Sequence, residues 1–172
     1  MNDEQFWAYI QDCHVASGGD MDQKDQLIKA AIGRLSGEEA ETFYTIFNQT
    51  MDAAYTWGLW GAAYIIDGGC GDDAFADFRA ALISRGRSAF QNATANPDSL
   101  ADEDIDLVAW FHEGFQYAVT EGVQAALGTR PRRAYPPPTT PVGKRWTDAT
   151  VRSDFPNLAS RVTPHSPMPT IR

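Results

Sequence analysis

Nine of the ten prolines lie beyond Gly128, three of them consecutive at Pro136, Pro137 and Pro138. Proline fixes φ and lacks an N–H, so such a segment favours extended or polyproline-like chain over helix. The charge divides at the same place. Residues 1–127 carry six Lys/Arg against 21 Asp/Glu, a balance of −15, whereas residues 128–172 carry eight Lys/Arg against two Asp, a balance of +6. The expected organisation is an acidic helical domain over residues 1–128 followed by a basic, proline-rich arm over residues 129–172. Trp146, Phe155, Leu158 and Val162 are too apolar for a fully solvated tail. Residues 142–162 are therefore expected to dock on the helical domain, leaving the last ten loose. The arm's opposite charge is held at high effective concentration beside the body, which favours docking over a nucleic-acid role. The acidic body itself repels phosphate.

With 172 residues, 43% hydrophobic and 22% charged, the chain is long and apolar enough for one real core. Aromatic residues make up 12%, so that core should be rich in rings. The N-terminus is acidic and lacks the layout of a signal peptide. No apolar run approaches the roughly 20 residues needed to span a bilayer. A soluble, cytoplasmic protein with no membrane contact is expected. Its two cysteines, Cys13 and Cys70, are too few for a disulfide scaffold, and their pairing is disfavoured in a reducing compartment.

Apolar spacing predicts a mainly α protein, a compact bundle of about five to six helices with the arm packed on it. Asn2 with Gln5 forms a capping-box pattern ahead of Phe6, Trp7 and Ile10. Leu27, Ile28, Ala31, Ile32 and Leu35 form the stripe of a second helix. Ser36 with Glu39 opens a third, carrying Phe43, Ile46, Phe47, Met51 and Tyr55. The nearly continuous apolar run over residues 55–66 fits a buried strand or a buried helix, and its Gly and Ala content selects the helix. Residues 67–71 must turn, because three of the five are glycine. Asp72 or Asp73 is expected to cap the next helix. A short helix around Phe90 precedes a turn at Asn96-Pro97-Asp98. A last long helix is expected over residues 102–127, its stripe including Leu107, Val108, Phe111, Phe115 and Val119.

The central segment, AYTWGLWGAAYIIDGGCGDDAFADFRAALISRGRSAF, with PDSLAD shortly after it, resembles a family of uncharacterised bacterial proteins, domain-of-unknown-function family 4240. The N-terminal FWAYI, and Trp146 with Phe155-Pro156-Asn157-Leu158, fit the same pattern. The resemblance implies a helical fold, with members common in actinobacteria, and transfers no catalytic residue.

The residues themselves offer several chemistries. Asp67, Cys70, Asp72 and Asp73 surround a glycine-rich turn at a helix start, where backbone N–H groups and the helix dipole favour anions. Two of those aspartates would repel an anion, and the spacing fits no EF-hand loop, so the turn-and-cap reading is preferred and no metal is assigned. Cys70 near a helix N-terminus would be an activated thiol, but its aspartate neighbours favour the protonated form. His112-Glu113 lacks the second histidine of a zinc protease motif, since position 116 is Gln116. Arg79, Arg85 and Arg87 are isolated cations in an acidic body. They fit a salt-bridge network with Asp72, or a carboxylate or phosphate clamp at the Arg85-Gly86-Arg87 corner. Trp57, Trp60 and Tyr64 share one helical face with Gly61; such a stripe is ordinarily core, and otherwise walls a ligand pocket with Asp67 at its rim. No Walker, Rossmann or nucleophile-elbow motif is present, and no cofactor is implied.

The resulting expectation is a non-catalytic binding or regulatory module, acting through its acidic helical surface or an aromatic cleft on a protein or small-molecule partner. The alternative is a small enzyme built from Tyr64, Asp67, Cys70, Asp72, Asp73, Arg79 and His112.

Overall fold

In the computed structural model, which describes residues 1–163, Asn2 opens α1 (Asp3–Ala16) with the complete capping box. Asp20 caps α2 (Met21–Ile32), and Ser36 with Glu39 closes a second capping box on α3 (Gly37–Ala53). The apolar run becomes a helix, α4 (Trp57–Asp67). Its start is fixed by the Thr56 hydroxyl, which accepts from Leu59 N at 3.1 Å, and its end by Gly68 at φ 77°. There follow α5 (Asp72–Ser84), α6 (Arg87–Ala95) and a 3₁₀ helix over Pro97–Asp102. Then come α7 (Leu107–Trp110), α8 (Gly114–Leu127), α9 (Val151–Asp154) and α10 (Pro156–Arg161). The expectation of a loose C-terminus falls, Thr163 apart, outside the described residues. Among those residues no helix is long and apolar enough to cross a membrane.

Two local expectations are corrected. Gly71, not Asp72 or Asp73, is the N-cap of α5, and it makes no side-chain cap bond. The two aspartates occupy the first turn instead, where their charge opposes the helix dipole favourably. The single long helix over residues 102–127 is also broken. The Asp106 carboxylate accepts from Val108 N and Ala109 N, starting a new helix there. The buried Trp110 indole then donates to the Asp104 carbonyl at 2.9 Å, holding the chain in a turn that helix continuation would undo. A Cβ at Gly114 would collide with the Asp25 carboxylate, so glycine restarts the helix as α8. Val108, read as part of the buried stripe, is 79% exposed as a result.

Helix α8 is the central strut: it lies along α2 and also packs on α3 and α5. Gly122 sets its closest approach. A Cβ there would stand 2.9 Å from the Lys29 carbonyl oxygen and 3.0 Å from Ile32 Cβ. Backbone cannot rotate away as a side chain can. Gly122→Ala is therefore expected to destabilise the protein by about 1–3 kcal/mol through overpacking, read as a fall in the denaturation midpoint at unchanged slope. Equal midpoints would show that α2 and α8 separate without penalty.

The arm closes the core from outside. Val142 forms a parallel bridge with Thr56, its carbonyl accepting from Trp57 N at 2.9 Å and its N–H donating to the Tyr55 carbonyl at 3.0 Å. Beyond it, Val151, Phe155 and Leu158 are buried within the same hydrophobic cluster as the body. The buried Asp98 carboxylate accepts from Asn157 N and Leu158 N, capping α10 from a distant segment. Arg161 donates back to the Ala101 carbonyl. One ion pair between arm and body, Arg133 with Asp52 at 2.5 Å, fits the expected charge attraction. Ring burial and backbone bonding hold much of the rest.

Candidate functional site

Helix α4 exposes one aromatic flank because its other side is fully committed. Leu59, Ala62, Ala63, Ile65 and Ile66 fill the core, which leaves Trp57, Trp60 and Tyr64 half-buried on the side facing the arm. Gly61 lies between them and lets the arm come close: a Cβ there would stand 2.5 Å from the Phe155 ring and 2.9 Å from the Trp146 indole nitrogen. Trp146 sits at right angles to Trp57, with centroids 6.0 Å apart, and its Nε1 donates to the Trp57 carbonyl at 2.7 Å. Tyr64 packs on the other side of Trp146 at 4.8 Å. Arg145 places its guanidinium 5.0 Å from the Trp57 ring centre. Together with Cys70 and Asp148 these groups line a cleft of about 600 Å³.

The cleft is the end of a longer ladder of rings. Trp57 stacks on Trp60 (5.5 Å, 10°), Trp60 on Phe75 (5.0 Å, 12°), Phe75 on Phe78, and Phe78 on Trp110 (5.3 Å, 24°). Arg85 covers the far end, 3.7 Å from the Trp110 ring centre. Such offset stacking adds about 0.5–1.5 kcal/mol per pair to simple burial, so the cleft's inner wall is a rigid surface.

The candidate residues do not converge on one place. Trp57, Trp60, Tyr64 and Cys70 meet in the cleft. Asp72 and Arg79 line a separate cavity with Arg133. His112 lines neither: its Nε2 lies 2.7 Å from the Asp25 carboxylate, a partner contributed by α2. The Arg85-Gly86-Arg87 clamp does not form. Arg85 turns to Trp110 and Glu103, while Arg87 pairs with Asp3 at 3.0 Å. Arg79 donates to carbonyls, those of Met51 and Phe75, in place of the expected carboxylate network. Asp73 is exposed in the first turn of α5, and Asp67 ends α4. Among the described residues no group of three or more His, Cys, Asp or Glu is arranged to hold a metal ion.

Electrostatics decide what Cys70 can do. Burial, reinforced by Asp67, Asp77 and Asp72, pushes its thiol up to about 12, so it stays protonated at neutral pH. The Trp60 indole fixes the local backbone by donating to the Cys70 carbonyl at 2.9 Å. Burial, and then the Asp148 carboxylate, raise the Tyr64 phenol above its ordinary value. Both groups are neutral donors. Sequence reasoning missed Arg145 and Asp148 as cleft residues. Their nearness to Trp146, itself recognisable as an anchor, was the available signal.

The model of the family described as "Protein of unknown function (DUF4240)" matches residues 1–125. The chain belongs to that family. The match ends before the arm, so the part of the resemblance carried by Trp146 and Phe155–Leu158 lies outside it. Neither a curated protein nor a solved structure matches the chain.

Proposed function

We propose that this protein is a non-catalytic binding module whose recognition surface is the cleft between α4 and the arm. The observation carrying this reading is the convergence of Trp57, Trp60, Tyr64 and Trp146 around one open cleft while each remains half-buried. Large half-covered rings on a rigid wall supply contact area at little entropic cost, the usual composition of a binding hot spot. The surrounding body carries the −15 balance, so the partner segment is expected to offer an aromatic or aliphatic anchor flanked by basic residues.

The enzyme reading has less support. Cys70 stays protonated, and His112 is held by Asp25 at a place lining neither cavity. Five of the arm's cations are also engaged within the chain, while Arg130 and Arg132 are exposed. Arg133 is on Asp52, Lys144 on Asp154, Arg145 on Trp57, and Arg152 and Arg161 are on carbonyls. That favours docking over nucleic-acid contact. The unpaired cysteines suit a reducing compartment, and action in the bacterial cytoplasm is part of the proposal.

Peptide selection on the full-length protein provides the test. Peptides with an aromatic or aliphatic anchor beside Lys or Arg should be enriched. Trp57→Ala should weaken them at least about tenfold, a hot-spot loss of about 1.4 kcal/mol or more. Its circular dichroism should still match the parent. Failure to enrich any peptide, or binding indifferent to Trp57→Ala, would remove the cleft as the recognition surface.

A further inference from the structure

A second cavity, of about 360 Å³, lies where α3, α5, α8 and the arm meet. Its volume is at the small end of ligand pockets. Two guanidinium groups line it, and the chain has gone to some length to hold each of them. Arg79, half-buried, lies against two adjoining rings, 4.8 Å from the Tyr55 centre and 4.9 Å from that of Phe75. Its Nη1 donates to the Met51 carbonyl at 2.9 Å and its Nε to that of Phe75 at 3.3 Å. Arg133 arrives from the arm with Nη2 on Asp52, while its Nε is buried and has no hydrogen-bond partner among the described residues. A guanidinium carries a fork of N–H groups whose geometry matches a carboxylate.

The cavity is not simply cationic. Asp52 already neutralises Arg133, and Asp72 lines the same space from the first turn of α5. With Arg79 and Arg133 against Asp52 and Asp72, the lining is formally neutral inside a strongly acidic body. A dianion would meet Asp72 and be repelled. A small molecule carrying both charges would meet a partner at each end. We infer that this cavity binds a small zwitterionic carboxylate of the α-amino-acid type, its carboxylate received by Arg79 and Arg133 and its ammonium by Asp72. Because Arg133 belongs to the arm, occupation of the cavity also fastens the arm to the body. This site is separate from the aromatic cleft and stands or falls apart from it.

The experiment is a thermal-shift screen of the full chain against the protein L-α-amino acids at millimolar concentration, followed by calorimetric titration of any that stabilise it. Acetate, ethylamine and inorganic phosphate serve as single-charge and oxyanion controls. At least one amino acid should raise the melting temperature, with each control giving a smaller shift. Arg133→Gln should weaken that amino acid about tenfold or more, the scale of a lost charge-assisted hydrogen bond. Asp72 is exposed at a helix start, so Asp72→Asn is expected to fold normally. It should weaken the zwitterion without weakening acetate. The inference is overturned if no amino acid stabilises the protein, or if phosphate or acetate does so equally well. Undiminished binding in Asp72→Asn would overturn it too, and that variant decides the matter should Arg133→Gln fail to fold.

Discussion

A chain ending at Gly128 is expected to lose most or all of its cooperative folding. Three side chains of the arm, Val151, Phe155 and Leu158, are 1%, 8% and 0% exposed and belong to the body's own core. Burying each stabilises by about 1.5–3 kcal/mol, so their joint removal approaches the roughly 5–15 kcal/mol net stability of an ordinary domain. Trp146 adds its contacts with Trp57 and Tyr64. Deletion also strips Asp98 of its two backbone donors and opens the groove above Gly61 to water. Thermal unfolding of residues 1–128 beside the full chain checks this. A melting temperature equal to that of the full chain would show the arm to be a tether. Phe155→Ala in the full chain supplies an intermediate point, with an expected loss of about 3–5 kcal/mol for truncating a buried phenylalanine.

Replacement of Lys24 by methionine is expected to act in the opposite direction and stabilise the protein. Lys24 is 1% exposed, and its ammonium donates to the Ser84 hydroxyl at 3.2 Å. Burial, with Arg85 adding repulsion, pushes its pKa from 10.5 down to about 8. At pH 7 the side chain is still charged. The shift corresponds to about 3 kcal/mol of stability withheld, at about 1.4 kcal/mol per pH unit. Methionine has similar length and no charge, and Ser84 retains its bond to the Ala81 carbonyl at 2.7 Å, so no buried donor is stranded. Lys24→Met should therefore gain about 2–3 kcal/mol at pH 7. The sign of the pH dependence follows from proton counting. Between pH 8 and 10.5 the unfolded chain binds the extra proton, so wild-type stability rises with pH relative to the variant. Below pH 8 the gap is constant, and near pH 10.5 it closes. Denaturant melts of both proteins at about pH 7 and about pH 10 provide the measurement. A gain that is absent at neutral pH, or independent of pH, would contradict the account.

Lys24 also shows where the sequence was legible and where it was not. It lies four residues before Ile28, on the same face of α2. That spacing fits a buried position, but a charged residue does not advertise one. The helix starts at Asn2 and Ser36 were readable because a capping box is complete within four residues. The assignment of α4 as a helix rested likewise on local Gly and Ala. The break before Gly114 was hidden, because apolar spacing continues through Leu107, Val108 and Phe111 while the interruption comes from Asp25, Asp104 and Asp106. The cavity partners were out of reach for a related reason. Arg133 meets Asp52 across 81 residues and Gln116 meets Asp77 across 39, distances over which no periodicity speaks. Trp146 and Phe155 were visible as anchors because large rings in a proline-rich segment, which builds no core of its own, must be buried against the helices. Their seat at Gly61 was not.

The seat at Gly61 has a consequence for how the protein is made. Trp146 closes on Trp57 across 89 residues and Leu158 on Asp98 across 60. During synthesis the whole helical body leaves the ribosome before either contact can form. For that interval α4 presents its indoles and the Gly61 groove uncovered, and the core lacks its last three side chains. Segments in this condition are the ones that chaperones bind and that aggregate when synthesis outpaces closure. The charge balance of the unfinished body, −15, keeps nascent copies apart by repulsion until the arm arrives.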